Sequence, residues 1–356
     1  MKKLACALAL VFMALGSLCA QEFVYKDATQ LTLTGKLFND TPNPYHRVDT
    51  VRFKGFTESE NIQVRCPAGL AVLFRTDAPS VAVRCTYGYK NNASNTMGIA
   101  LRGFDLYIKE GARWQFAASK EGREGESVTL ISNMDDSVKE CMLYLPMYSE
   151  LYSLEVGVPA GKTLEALPSP FRHRVGIFGS SFTQGISISR TGMSYPDQFT
   201  RHTGIQMLSL GCSGNCKLQP YFAEVLKAAE VDALVFDAFS NPEGEMIRER
   251  LFPFIEKVQE AHPDIPLIFM QTIHRCSTHF DLKRRSIEQG KVAAAEELMK
   301  EACKRYKNVY FIRPCAHDDW HETSVDGTHP DDYGYTLWAR SIEKPIRKIL
   351  RRYGLK

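Results

Sequence analysis

After its first twenty residues the sequence has no apolar run long enough to cross a bilayer, no internal repeat, no low-complexity tract and no long linker. No membrane-spanning helix and no repeat architecture is therefore expected in that stretch. Charge of one sign is lacking too. Lys and Arg number 44 against 41 Asp and Glu, a net +3 that falls to +1 without Lys2 and Lys3 (42 against 41). That balance gives no electrostatic case for nucleic acid or an anionic membrane as partner.

The first twenty residues have the pattern of a secretory signal. Lys2 and Lys3 supply the positive region, Leu4 to Leu18 the apolar stretch, and Ala20 a small residue before Gln21. Lipid attachment at Cys19 is the weaker alternative, because Leu18 puts a bulky residue just before the cysteine. A soluble protein, periplasmic or extracellular, is expected. Of ten cysteines, eight would remain after cleavage. Export permits disulfides, and Cys212 and Cys216, separated by only three residues, are the pair for which a bridge is expected, although two buried thiols fit that loop equally well.

A length of 356 residues suggests two domains. From 21 to 168, short β-branched and aromatic runs such as Ala71–Phe74, Val81–Val83, Val128–Ile131 and Met142–Leu145 are separated by Gly, Pro, Asn and Asp. They predict an all-β sandwich or jelly roll without helices. From 169 to 356 the pattern changes near Pro168 and Pro170. Strands are predicted at Val175–Phe178, Gln206–Leu210, Ala233–Phe239, Leu267–Gln271 and Val309–Ile312, with amphipathic helical stretches between them. Five such units specify an α/β fold, a five-stranded parallel sheet with helices on both faces.

In a parallel sheet the residues just past each strand converge on one edge. Past the first strand lies Ser181, in Gly179-Ser-Ser-Phe-Thr183. Past the second lies the glycine-rich Gly211-Cys-Ser-Gly-Asn215, and past the third Ser240-Asn241. Before the last helix comes Asp326-Gly-Thr-His329, whose spacing lets a tight turn set the carboxylate against one imidazole nitrogen and leave the other for a hydroxyl. A hydroxyl nucleophile, a base with an orienting carboxylate, and donors for a developing oxyanion are what acyl transfer requires.

These four segments, in this order, resemble the four blocks of the SGNH (GDSL-type) hydrolases, whose sheet is flavodoxin-like. The resemblance implies Ser181, Asp326 and His329 as the catalytic triad. It implies an oxyanion hole from the N–H groups of Ser181 and Gly214 and the side chain of Asn241. Ser240-Asn-Pro-Glu243 departs from the family's usual Gly-x-Asn-Asp form. Gly103-Phe-Asp-Leu-Tyr107 resembles the Gly-x-Asp-Leu-Tyr signature of a β-domain that precedes one branch of these enzymes, which implies a jelly-roll-like accessory domain beside the catalytic one. Asp105 and Tyr107 are then expected at structural or interface positions.

The implied function is an exported serine esterase removing short acyl groups, acetyl foremost, from carbohydrate or related small esters. Neither a metal nor an organic cofactor is called for. A lipase, thioesterase or platelet-activating-factor-acetylhydrolase-like enzyme is one alternative, and a non-catalytic glycan-binding protein another. His317 and His321 have the spacing of metal ligands on a helix. They lack a Glu after the first His, and Pro314 suggests a loop, so no zinc site is expected. His274 and His279 are placed at the edge of the site, and Trp320 is left either to stack on a sugar or to pack.

Overall fold

The structure is a computed structural model that describes residues 22–316 and 318–356; the expected signal segment and His317 lie outside the described residues. The N-terminal domain holds ten strands: β1 (Phe23–Asp27), β2 (Thr32–Thr34), β3 (Ala71–Thr76), β4 (Val81–Tyr87), β5 (Gly103–Glu110), β6 (Arg113–Glu121), β7 (Val128–Ile131), β8 (Lys139–Tyr144), β9 (Leu151–Pro159) and β10 (Glu165–Ala166). They form two antiparallel sheets, ordered β1-β9-β4-β7 and β10-β3-β8-β5-β6, with β2 also paired to β3.

Alternation along the strands decides which side chains go where. Val72 and Phe74 of β3, Phe104 and Leu106 of β5, and Leu143 of β8 fill the sandwich core with Val81, Val83, Leu154 and Val156 of the facing sheet. Their neighbours Leu73, Tyr107, Met142 and Tyr144 point the other way and form a second apolar cluster. The inner strands β3, β8 and β5 are therefore buried on both faces, and the sheet's outer face meets the C-terminal domain. There the Arg201 guanidinium lies 4.2 Å from the Tyr107 ring centroid.

The expectation of no helices in this domain needs correction. Two short ones are present, α1 (Glu58–Arg65) and α2 (Gly98–Arg102). α1 opens on a capping box in which the Thr57 side chain accepts from Glu60 N and the Glu60 carboxylate accepts from Thr57 N. Eight residues between loops show too little hydrophobic period to reveal a helix, but Thr-x-x-Glu was a readable start signal.

The C-terminal domain is a five-stranded parallel sheet, β11 (Arg174–Gly179), β12 (Gln206–Gly211), β13 (Ala233–Asp237), β14 (Leu267–Met270) and β15 (Val309–Ile312), in the order β12-β11-β13-β14-β15. One face carries Phe178, Leu208, Leu210, Phe236 and Phe269. It packs on α5 (Pro220–Lys227), α6 (Gly244–Gln259) and α7 (Leu282–Arg305). The other carries Val175, Ile177, Met207, Val235 and Ile268 against α4 (Tyr195–Thr203) and α8 (Asp332–Leu350). Tyr335, Trp338, Ala339, Ile342 and Ile346 recur every three or four residues along α8 and are all buried, which is why that segment is an amphipathic helix.

Because β12 and β13 leave β11 on opposite sides, the chain direction of winding reverses at β11. The crevice at such a reversal is where open α/β sheets place ligands, and Ser181 follows β11 directly. Among the described residues no helix is long and apolar enough to cross a membrane.

Candidate active site

Ser181 is the first residue of a one-turn helix, α3 (Ser181–Gln184), capped by Ser180, whose hydroxyl accepts from Phe182 N at 3.2 Å. Its own N–H lies among the first of a helix, which have no intrahelical carbonyl partner. The turn is fixed from below. Asp237, fully buried at the end of β13, accepts from the Ser180 and Thr183 hydroxyls, each at 2.9 Å. Burial pushes the Asp237 carboxyl up to about 6, against the opposing pull of these hydrogen bonds.

The turn before α8 brings in the second and third groups. Asp326 Oδ1 accepts from Thr328 N and His329 N at 2.9 and 2.8 Å, closing the turn, while Oδ2 accepts from His329 Nδ1 at 2.9 Å. His329 Nε2 then lies 3.1 Å from Ser181 Oγ. Partial burial works against the Asp326 charge, but hydrogen bonds from His329 and its neighbours outweigh it and hold the carboxyl well below the usual range. The carboxylate therefore stays ionised at any pH where an imidazole titrates. Such a chain can take a proton from the serine hydroxyl and stabilise the imidazolium that results.

The structure sets Gly214 in the loop after β12 with φ +73°, a conformation that favours glycine, and a side chain there would meet open space. Its neighbour is pinned to the turn that carries Ser181, since Ser213 N donates to Gln184 Oε1 at 2.9 Å. Gly211, where the loop begins, is needed for a different reason: a Cβ there would collide with the backbone N of Gln184. Asn241 spends its carbonyl oxygen on Cys216 N at 3.1 Å, which leaves the amide N–H groups as the free end. The peptide before it is clamped from behind. Arg275 Nη2 and Lys291 Nζ both donate to Ser240 O, at 2.8 and 3.0 Å, and both pair with Glu288 Oε1 at 2.9 Å.

The expected bridge between Cys212 and Cys216 is absent: both are free thiols, fully buried. Asn215 N donates to Cys212 O and closes the turn without a crosslink, and Cys216 Sγ lies 3.6 Å from Asp237 O, on the third strand rather than towards its neighbour. Burial pushes the Cys212 thiol up to about 12, so it is inert as a nucleophile.

Sequence reasoning missed a contribution from the N-terminal domain. Asn95, in the loop between β4 and α2, donates from Nδ2 to Asp326 Oδ2 at 2.9 Å across 231 positions of sequence. An asparagine in a polar loop carries no signal of that kind. Arg47 was missed as well. Buried to 1 % exposure, it donates to Cys66 O, Gln63 O, Ser209 O and Gly211 O and so ties the N-terminal domain to the end of β12. Four carbonyl acceptors, at about 1.5–3 kcal/mol for each bond to a charged donor, are what offset its desolvation. Asp105 and Tyr107 sit at the domain interface. Asp105 Oδ2 accepts from Arg190 Nη1 and Gly192 N at 2.7 and 2.8 Å, and the Tyr107 hydroxyl accepts from the same guanidinium.

Cavities lie on two sides. One of about 750 Å³ is lined by His274, Arg275, His279, Arg285 and Glu288 among others; the second, of about 670 Å³, lies at the domain seam beside Asn95, Met97, Ser189, Val325 and Tyr333. His321 packs 4.7 Å from His279, ring to ring, and Trp320 is 83 % exposed and packs against no core. Among the described residues no group of His, Cys, Asp or Glu is arranged to hold a metal ion.

Comparison with known proteins places this geometry. Residues 23–164 match the family model for the GxDLY N-terminus of SGNH-hydrolase-type esterases, and residues 172–347 match the GDSL-like lipase/acylhydrolase family. A protein of Bacteroides ovatus ATCC 8483 described as a GDSL-like lipase is 35% identical over 93% of this chain and 98% of its own, with a TM-score of 0.89. At 18% identity, the salicylyl-acyltransferase SsfX3 of a tetracycline biosynthetic pathway shares the fold with a TM-score of 0.65, over 94% of this chain and 98% of its own. A family two carbohydrate esterase of Cellvibrio japonicus shares it at 11% identity and 0.59, over 93% and 98%. No match to a curated protein was found. The chain belongs to the GDSL-like (SGNH) lipase/acylhydrolase family, in the branch that carries a GxDLY N-terminal domain.

Proposed function

We propose that the protein is an exported serine esterase that removes short acyl groups, acetyl above all, from carbohydrate. The observation that carries the reading is the continuous chain Ser181 Oγ–His329 Nε2 (3.1 Å) and His329 Nδ1–Asp326 Oδ2 (2.9 Å) at the reversal point of the sheet. His329 takes the Ser181 proton as Oγ attacks the ester carbonyl. The oxyanion is met by the N–H groups of Ser181 and Gly214 and the Asn241 amide. Collapse breaks the C–O bond, and His329 returns the proton to the departing alcohol. Water, deprotonated by His329, then releases the acid from the acyl-enzyme.

Support for a sugar ester comes from the open cavities on two sides of the site, one of which offers His274, Arg275, His279, Arg285 and Glu288 as polar partners, and from the exposed ring of Trp320. Fold neighbours named as carbohydrate esterases, among them an acetyl xylan esterase of the rumen bacterium Butyrivibrio proteoclasticus, are consistent with it. The N-terminal signal pattern supports a periplasmic or extracellular site of action.

The test is a screen of p-nitrophenyl esters of increasing chain length and of acetylated polysaccharides, with Ser181→Ala as blank. We expect activity that drops sharply beyond short acyl groups, acetate release from a polysaccharide, and a loss of about four orders of magnitude or more in the blank. Activity retained by Ser181→Ala overturns the mechanism. A preference for long acyl chains makes the protein a lipase or thioesterase instead.

A further inference from the structure

Asp326 is partly open to solvent on an Asp-Gly turn, a poor mounting for a group that must hold an imidazole. Its own turn fixes only Oδ1, through the two backbone N–H groups of Thr328 and His329. Oδ2, the atom that faces His329, has one other partner, and that partner comes from the other domain: Asn95 Nδ2 at 2.9 Å. We propose that Asn95 is a positioning residue of the catalytic centre, and that the N-terminal domain thereby completes the triad rather than only buttressing the fold. This rests on the triad reading above.

The loop that delivers Asn95 is held like a structural element. Thr96, buried next to it, accepts from Ser187 N at 2.8 Å, just past the nucleophile helix, and Thr96 Oγ1 donates to Asn95 Oδ1 at 3.3 Å. The second contact fixes the amide so that its N–H side faces Asp326. At the loop's start, Arg102 Nη1 donates to Asn91 O at 2.6 Å, and Asn91 Oδ1 accepts from Ala93 N at 2.7 Å. Asn95 therefore approaches the carboxylate from a preset direction, at little cost in side-chain freedom. Removing it leaves Oδ2 with the imidazole alone, and the Asp326–His329 pair is free to swing away from Ser181. p-Nitrophenyl acetate is too small to fill the seam cavity beside Asn95, so its KM is expected to change little.

The experiment compares Asn95→Ala, Asn95→Asp and the neighbouring control Ser94→Ala in the full chain, with p-nitrophenyl acetate as substrate. Asn95→Ala is expected to lower kcat about tenfold with KM within twofold, while Ser94→Ala matches wild type. Asn95→Asp sets a second carboxylate against Asp326, near His329 on the same turn, Arg275 beyond β14 and the Tyr335 phenol in α8. Two such carboxylates share a proton readily, and the introduced carboxyl, once protonated, can donate as the amide did. The ratio of Asn95→Asp to wild-type kcat is therefore expected to be below one hundredth at pH 8 and to rise at least tenfold by pH 5. A merely structural loop residue has no reason to produce that recovery. Asn95→Ala with kcat within twofold of wild type, or an Asn95→Asp ratio flat across pH 5–8, overturns the proposal. Loss of activity in Ser181→Ala, measured alongside, shows separately whether the triad reading holds.

Discussion

Asn241 shows how much a single side chain depends on its two ends. Cys216 N occupies the amide oxygen, and Ser240 O, one peptide back, is gripped by Arg275 and Lys291. The orientation of the amide is thereby set by its oxygen end, and in the oxyanion role proposed above a donor that needs no reorganisation is worth most in the transition state. Asn241→Ala is expected to lower kcat by about 10²–10³ with little change in KM, measured by steady-state hydrolysis of p-nitrophenyl acetate. A variant that changed KM alone would place Asn241 in binding instead. The sequence already pointed to this residue, although its Ser-Asn-Pro-Glu context is unusual. It gave no hint of the buried Arg275–Glu288–Lys291 cluster, because those residues lie on a loop and a helix that meet only in the folded chain.

At the scale of elements, the site is a set of strand ends and the short turns they feed. Gly211 lets the loop after β12 lie against α3, and Ser180 caps α3 while bonding down to Asp237. The strands and long helices of this half were legible because their apolar runs and helical periods are strong. Ends are less legible where turns and caps decide: the third strand stops at Asp237 rather than Phe239, and α7 begins at Leu282 because the Asp281 side chain accepts from Arg284 N. α4 carries a testable electrostatic feature. Asp197, buried in its first turn, has its carboxyl pushed up to about 6 by burial, against the Ser194 hydroxyl and Arg201. Between the unfolded value near 3.8 and about 6 the folded protein binds more protons than the unfolded chain, so this group's contribution makes stability fall as pH rises through that window. Asp197→Asn is expected to remove that part of the fall. Relative to the wild type, its unfolding free energy should rise between pH 4 and pH 6.5 in parallel urea titrations. An equal pH slope in both proteins would mean that Asp197 has an ordinary carboxyl.

For the whole molecule, the two halves meet through many contacts, and three of them differ in how readable they were. The interface position of Asp105 and Tyr107 was signalled by a motif, whereas their partner Arg190 was not; alternation in β5 sends Phe104 and Leu106 into the sandwich and Asp105 and Tyr107 outward. Arg47 on the β12 carbonyls and Asn95 on Asp326 were not signalled, since a lone arginine and a loop asparagine look alike whether solvated or engaged. The disulfide was misjudged for a related reason: close spacing of Cys212 and Cys216 says nothing about where the thiols point. What the sequence did convey is the order of the blocks, from which convergence on one edge of the sheet follows by topology alone. The most direct test of that convergence is to react the protein with a fluorophosphonate and map the adduct by peptide mass spectrometry. The account predicts a single adduct on Ser181, formed far more slowly in His329→Ala. An adduct on another residue, or none while ester hydrolysis continues, would contradict it.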